Sequence, residues 1–262
     1  MQRLLVFDEH AKGNFELEKE LGEFSAKLKS VNENIIHSSK LGVKNPDGID
    51  ASSSVIPTAK GIIIGSLSSF EAEKHCMRLL SALGIVPILQ VPDGVSLKSE
   101  NIFSLQDELY IGISDQCSLK SLLFLKKRLV DAKGLFSKVN AIKVKGFELA
   151  DVFRVVNVGK KKIYFVNWNA VNDEFDVFDG ESHRKALLSR LARKESVYSL
   201  SHDESWLLGN RFFVFRNTAF IFDNMKSISR FLVHHGFSVA FAKSGPFIKE
   251  KKGLSDVVKA LA

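Results

Sequence analysis

The chain has 262 residues, 45% of them hydrophobic and 26% charged, with a formal net charge of +7. This is the balance of a soluble globular protein long enough for a full core. No apolar run approaches the ~20 residues of a membrane-spanning helix, so no transmembrane helix is expected. Met1-Gln2-Arg3 passes straight into Leu4-Leu5-Val6-Phe7-Asp8, too short an apolar stretch for a signal peptide and readable as a first strand. Cys76 and Cys117 fall in amphipathic helical patterns outside any paired motif, which argues against a disulfide scaffold or structural zinc. An intracellular, reducing compartment is expected, cytoplasm or organelle matrix.

In chain order, Arg3 to Phe7 is a strand. Phe15 to Lys29 is a helix with Leu17, Leu21, Phe24 and Leu28 on one face, and Asn34 to His37 is a short strand. Ser38 to Ser54 is polar and turn-rich. Val55-Ile56 and Gly61 to Ile64 are strands, followed by a helix from about Ser69 to Leu83 and a strand Val86 to Val91 that contains Pro87. Asn101 to Ser104 turns through Gln106-Asp107 into Leu109 to Ile113. A helix from about Ser118 to Ala132 and a strand Val139 to Val144 follow. Val152 to Val156 and Lys162 to Val166 form another hairpin. Next come a loop rich in Asn and Asp, a helix carrying Arg184, Leu187, Leu188 and Leu191, and the strand Val197 to Leu200. Phe212 to Phe215 and Ala219 to Phe222 form the last hairpin. Asp223 or Asn224 caps a helix bearing Met225, Ile228, Phe231, Leu232 and His235, and Phe237 to Phe241 is its returning strand. A short return through Lys251 to Asp256 follows.

Helix centres recur about fifty residues apart, a spacing typical of repeat architectures in which no unit buries its own apolar face. Hairpin, helix and returning strand, taken five times in a single domain over 1–262, predict an α/β propeller of five ββαβ units. A doubly wound sheet alternates single strands with helices and does not account for the hairpins.

This order of elements resembles the pentein, or amidinotransferase-like, superfamily, with closest likeness to dimethylarginine dimethylaminohydrolases and arginine deiminases. Pro46-Asp47-Gly48-Ile49 with Gly61 to Gly65 is similar to the family's Pro-Asp segment and second-unit strands. Ser99-Glu100-Asn101-Ile102-Phe103 ahead of Tyr110-Ile111-Gly112-Ile113-Ser114 resembles its Glu-Gly-Gly-Asp-Val-Leu strand and the Val-Gly-Leu-Ser after it. Ile142 to Gly146 falls where members carry the catalytic His, His202 to Asn210 resembles the approach to the last unit, and Gly253-Leu254-Ser255-Asp256 falls at the nucleophilic Cys. The resemblance implies a central pocket lined by Ser52, Ser53, Glu100, Asn101, Lys143 and Asp256. It also implies that the pocket has lost its chemistry: Asp256 replaces the thiol, Lys143 the histidine, and Ser52-Ser53 the acidic pair. Guanidine hydrolysis needs a nucleophile, a proton shuttle and carboxylates to hold the cation, acting together.

Other constellations carry less. His202-Asp203-Glu204 with Ser201 or Ser205 spells a triad, but consecutive residues diverge, and a solvated turn is expected. His234-His235 ends a helix, where a cation suits the dipole, and lacks further metal ligands. His75 and Cys76 point about 100° apart on a helix and cannot pair. Neither a phosphate loop at Lys251-Lys252-Gly253 nor a Gly-x-Gly-x-x-Gly motif is present. Basic clusters at Lys126 to Arg128, Lys160 to Lys162 and Lys249 to Lys252 sit in separate segments, a weak nucleic-acid signal. The expectation is a catalytically inactive pentein without metal or cofactor, a structural or interaction subunit with a protein partner or a larger, RNA-containing assembly. The alternative is a guanidine-modifying hydrolase or amidinotransferase with rearranged groups, acting on arginine or methylarginine. A third reading is carboxylate sensing through Lys143.

Overall fold

Local capping chemistry starts the long helices where the hydrophobic spacing predicts them. A computed structural model describes residues 3–261 apart from 12, 33, 44, 46–50, 67–68, 115–116, 160, 180–181 and 193–195, so the Pro46 to Ile49 segment lies outside the described residues. The first unit holds β1 (Arg3–Val6), α1 (Phe15–Lys29) and β2 (Ile35–His37). Asn14 caps α1 by accepting from Leu17 N at 3.2 Å, and Leu17, Leu21, Phe24 and Leu28 are buried. The second holds β3 (Val55–Thr58), β4 (Gly61–Ile64), α2 (Phe70–Ala82) and β5 (Leu89–Gln90), with Ser69 capping α2. The strand β5 is shorter than predicted because Pro87 has no N–H to give the ladder.

The third unit is β6 (Ile102–Leu105), β7 (Glu108–Ile113), α3 (Leu119–Leu125) and β8 (Lys138–Lys143). The predicted helix is not uniform, since α3 widens into a π-helical turn over Lys126–Asp131 that keeps Leu129 and Val130 buried. Cys117 precedes this helix rather than lying in it, bridging to Ser114, although both it and Cys76 are buried as expected.

The fourth unit departs most from expectation. It contains α4 (Leu149–Val152), β9 (Phe153–Val158), β10 (Lys161–Val166), β11 (Glu174–Asp179), β12 (Ser182–Leu187), α5 (Leu188–Ala192) and β13 (Ser196–Ser199). The Asn- and Asp-rich stretch predicted as loop forms the β11–β12 hairpin, and Arg184 and Leu187 lie on a strand, not a helix. Phe175 and Val177 bury one face of β11 while it pairs with β8, so tertiary pairing overrides the helical spacing.

The fifth unit holds α6 (His202–Trp206), β14 (Phe213–Phe215), β15 (Thr218–Phe222), α7 (Lys226–His234) and β16 (Ser238–Ala242). Met225 occupies the cap of α7 without a side-chain bond; Asp223 instead accepts from Ser244 N at 3.1 Å, opening α8 (Ser244–Lys249). The chain then returns through α9 (Leu254–Val257) into β17 (Val258–Leu261), a strand not predicted.

In every unit the chain passes through a helix between the inner hairpin and a parallel outer strand: β4 pairs with β5, β7 with β8, β10 with β13, β15 with β16 and β1 with β2. Four of these inner hairpins are continuous in sequence. The first is made between the two ends of the fold, with β17 antiparallel to β1 from Arg3↔Leu261 to Val6↔Val258. Five sheets result, and β11–β12 widens the third to five strands. Phenylalanine fills much of the core, as in the edge-to-face contacts of Phe24 with Phe220 at 5.6 Å and Phe165 with Phe212 at 5.0 Å. Among the described residues, no helix is long and apolar enough to cross a membrane.

Candidate functional site

The site grows from two copies of one short sequence. Leu149-Ala150-Asp151-Val152 and Leu254-Ser255-Asp256-Val257 are each a single helical turn feeding an inner strand, β9 or β17. In each the leucine and valine are fully buried, and the aspartate turns back to the preceding backbone. Asp151 Oδ2 accepts from Glu148 N at 3.2 Å and Asp256 Oδ2 from Gly253 N at 2.7 Å. Both carboxylates are thereby aimed at the space ahead of β14, where Arg211 enters.

Arg211 answers them with three donors. Its Nε and Nη2 reach the two oxygens of Asp151 at 2.5 and 2.9 Å, and its Nη1 reaches Asp256 Oδ2 at 3.0 Å. All three residues are at most 6% exposed. Burial pushes the Asp256 carboxyl up, but Arg211, Lys259 and the Gly253 N–H overcome this and hold it below the usual carboxylate range. Burial alone would lower Arg211, and the two aspartates instead raise its pKa. Backbone contacts lock the same junction: Ser255 N donates to Arg211 O at 3.0 Å and Asn210 Nδ2 to Ala150 O at 3.0 Å.

Gly253 makes the approach possible, since a Cβ there would run into the Cβ of Arg211 and lie 2.8 Å from its Cδ. Gly253→Ala is therefore expected to push the guanidinium off its carboxylates and destabilise the protein by about 1–3 kcal/mol. Chemical denaturation checks this, and an unchanged midpoint would contradict it.

Beneath the ion triad runs a cleft of about 370 Å³ lined by a strand from every unit. Ile56 of β3, Phe103 of β6, Phe153 and Arg154 of β9, Phe213 of β14 and Val258 of β17 face it. Asp256 and Glu100, both predicted pocket residues, also line it. Asn101 lies fully buried beside it, its Oδ1 accepting from Leu149 N at 3.3 Å. Ser52 is buried 3.4 Å from Lys252 Nζ, and the Ser53 carbonyl accepts from Ser99 N at 2.7 Å.

Lys143 does not join them. It is exposed at the end of β8, and the cation that meets Asp256 is Arg211. Glu148, which the sequence reading does not single out, lies nearer the junction. Burial and the charges of Glu100 and Asp151 raise its pKa against the opposing pull of Asn101 and Arg211. Arg211, Asp151 and Arg154 are likewise absent from the sequence-based pocket, although the repeated Leu-x-Asp-Val is a legible signal.

The His202 cluster is a single helical turn with His202 and Asp203 exposed and Ser205 buried, and its groups are engaged structurally. Ser201 and Glu204 cap α6 reciprocally, Ser205 Oγ accepts from Asn167 Nδ2 at 2.9 Å, and Trp206 Nε1 donates to His202 Nε2 at 2.6 Å. These bonds leave the cluster no serine–histidine–carboxylate relay. Among the described residues, no group of three or more His, Cys, Asp or Glu side chains could hold a metal.

No protein-family model and no curated protein sequence matches the chain. Solved structures do. A mutant of dimethylarginine dimethylaminohydrolase from Pseudomonas aeruginosa, complexed with citrulline, aligns over 100% of both chains at 11% identity and a TM-score of 0.69. The N-terminal domain of ArgZ, a cyanobacterial arginine dihydrolase, aligns over 100% of this chain and 97% of its own at 11% identity and a TM-score of 0.69. AgrE with ornithine and NAD+ gives a TM-score of 0.70 at 10% identity, but this chain spans 39% of that longer protein. At such identities the likeness is one of architecture, and it extends over the full chain: the protein has the pentein fold of the dimethylarginine and arginine hydrolases.

Proposed function

We propose that the protein is a catalytically inactive pentein-fold subunit that works by interaction, within a protein or ribonucleoprotein assembly. The observation that carries this reading is the Arg211 guanidinium held between Asp151 and Asp256. A guanidine substrate would have to displace an identical group that is tethered, buried and bonded through three nitrogens, and a tethered competitor acts at high effective concentration. Asp256 is a poor nucleophile in this setting, since its charge is stabilised by Arg211 and its oxygen by the Gly253 N–H. The two thiols offer no replacement. Both are fully buried, and burial pushes Cys117 up to about 11, far from a thiolate at neutral pH. An interaction role is supported by apolar side chains left in solvent on α3, where Leu119 and Leu123 are 58% and 52% exposed one turn apart.

Purified protein is expected to release no citrulline, ornithine, ammonia or dimethylamine from arginine or its methylated forms. Turnover that disappears in Asp256→Ala would overturn the proposal in favour of a guanidine-modifying hydrolase. Gentle extraction from the native source is expected to recover the chain in a larger assembly, and a free monomer in every fraction would sink the interaction role.

A further inference from the structure

The cleft along the five inner strands contains an arginine whose charge is met by an aromatic ring and a carbonyl. Arg154 lies on β9, its Nη1 donates to Asn210 O at 3.2 Å, and its guanidinium sits 4.5 Å from the centre of the Phe212 ring. Among the described residues no carboxylate reaches it within ion-pair distance. Arg154 also lines the cleft, whose walls include Phe103, Phe153 and Phe213. We propose that this cleft is a binding site for a small organic carboxylate with an apolar body, its oxygens on the Arg154 fork and its body against the phenylalanines.

A guanidinium fork matches a carboxylate in two parallel hydrogen bonds, and an apolar cleft with a few fixed polar groups is the usual form of a small-molecule site. Burial lowers the Arg154 pKa to about 10, with Asp256 pulling the other way, so the charge is held at some cost that an anion would relieve. Lys259 adds positive potential from β17, where Ser99 Oγ at 3.3 Å and Ser255 O at 3.0 Å hold its Nζ. Glu100 also lines the cleft and works against an anion, while Asp256 is engaged by Arg211. The opposing carboxylate and the aromatic walls favour a singly charged organic acid over a phosphate. The ligand role is independent of the absence of guanidine chemistry, so either reading can fail alone.

The test is calorimetric titration of the intact chain with benzoate, benzamide and inorganic phosphate. Benzoate is expected to bind at least about tenfold more tightly than either of the others, the equivalent of one good charged hydrogen bond. Arg154→Met should weaken benzoate by about tenfold or more, and Glu100→Gln should strengthen it. The Glu100 variant keeps the argument testable if loss of Arg154 unsettles folding, because it predicts a gain. The proposal is overturned if benzoate does not bind, if benzamide or phosphate binds as well, if a folded Arg154→Met binds normally, or if Glu100→Gln leaves the affinity unchanged.

Discussion

Arg211→Met is expected to lower the unfolding free energy by about 3–5 kcal/mol, the range for stripping one partner from a buried ionic cluster. The loss is large because Asp151 and Asp256 remain, at most 6% exposed and without their shared cation. The pH dependence should invert with it. In the intact protein Asp256 has a depressed pKa, so its contribution is present above the unfolded value of about 3.9 and is lost as pH falls through the lower folded value. Without Arg211, burial dominates and raises the Asp256 carboxyl, so the variant should gain stability on acidification, by proton uptake into the folded state. Adding Asp151→Asn and Asp256→Asn should recover much of the loss, since an amide oxygen can still accept from the Glu148 and Gly253 N–H groups. Urea unfolding from about pH 2 to pH 8, which spans the window below the unfolded carboxylate value, checks all three statements. A variant with Arg211 replaced and the wild-type pH slope would contradict the account.

Ending the chain at Val257 should be at least as severe. It removes β17, the partner of β1 along its whole length, and with it the burial of Val258 and Leu261 at 1% and 0% exposure. Two such side chains are worth about 3–6 kcal/mol together, before the ladder bonds and the lost wall of the cleft are counted. The expected product lacks a cooperative thermal transition and exposes the edge of β1 to aggregation. A sharp transition within about 1 kcal/mol of the intact chain would show that the first sheet tolerates a missing inner strand.

The elements that are legible in the sequence carry their own instructions. The helix α1 has its cap, its acidic first turn and its apolar spacing within one continuous stretch, and its observed bounds, Phe15–Lys29, are those predicted. Four inner hairpins announce themselves through paired apolar runs around a polar turn. By contrast β17 has no turn joining it to β1, and β11 shows its alternation only once β8 lies beside it. The candidate site is partly legible for the same reason. Asp256, Glu100 and Asn101 can be picked out because the segments that carry them resemble family motifs ahead of inner strands. Arg211 cannot, because its partners lie in other units and nothing near it in sequence specifies them.

The β1–β17 pairing also sets an order of assembly. During synthesis β1, α1 and β2 emerge well ahead of β17, and their sheet lacks its inner strand until β17 is released. The later units can each close a hairpin within a few residues, whereas this unit must wait for the most distant contact in the chain. The β1 unit is thus made before the other four units and completed after them, and until then it presents an open strand edge of the kind that nascent-chain chaperones cover.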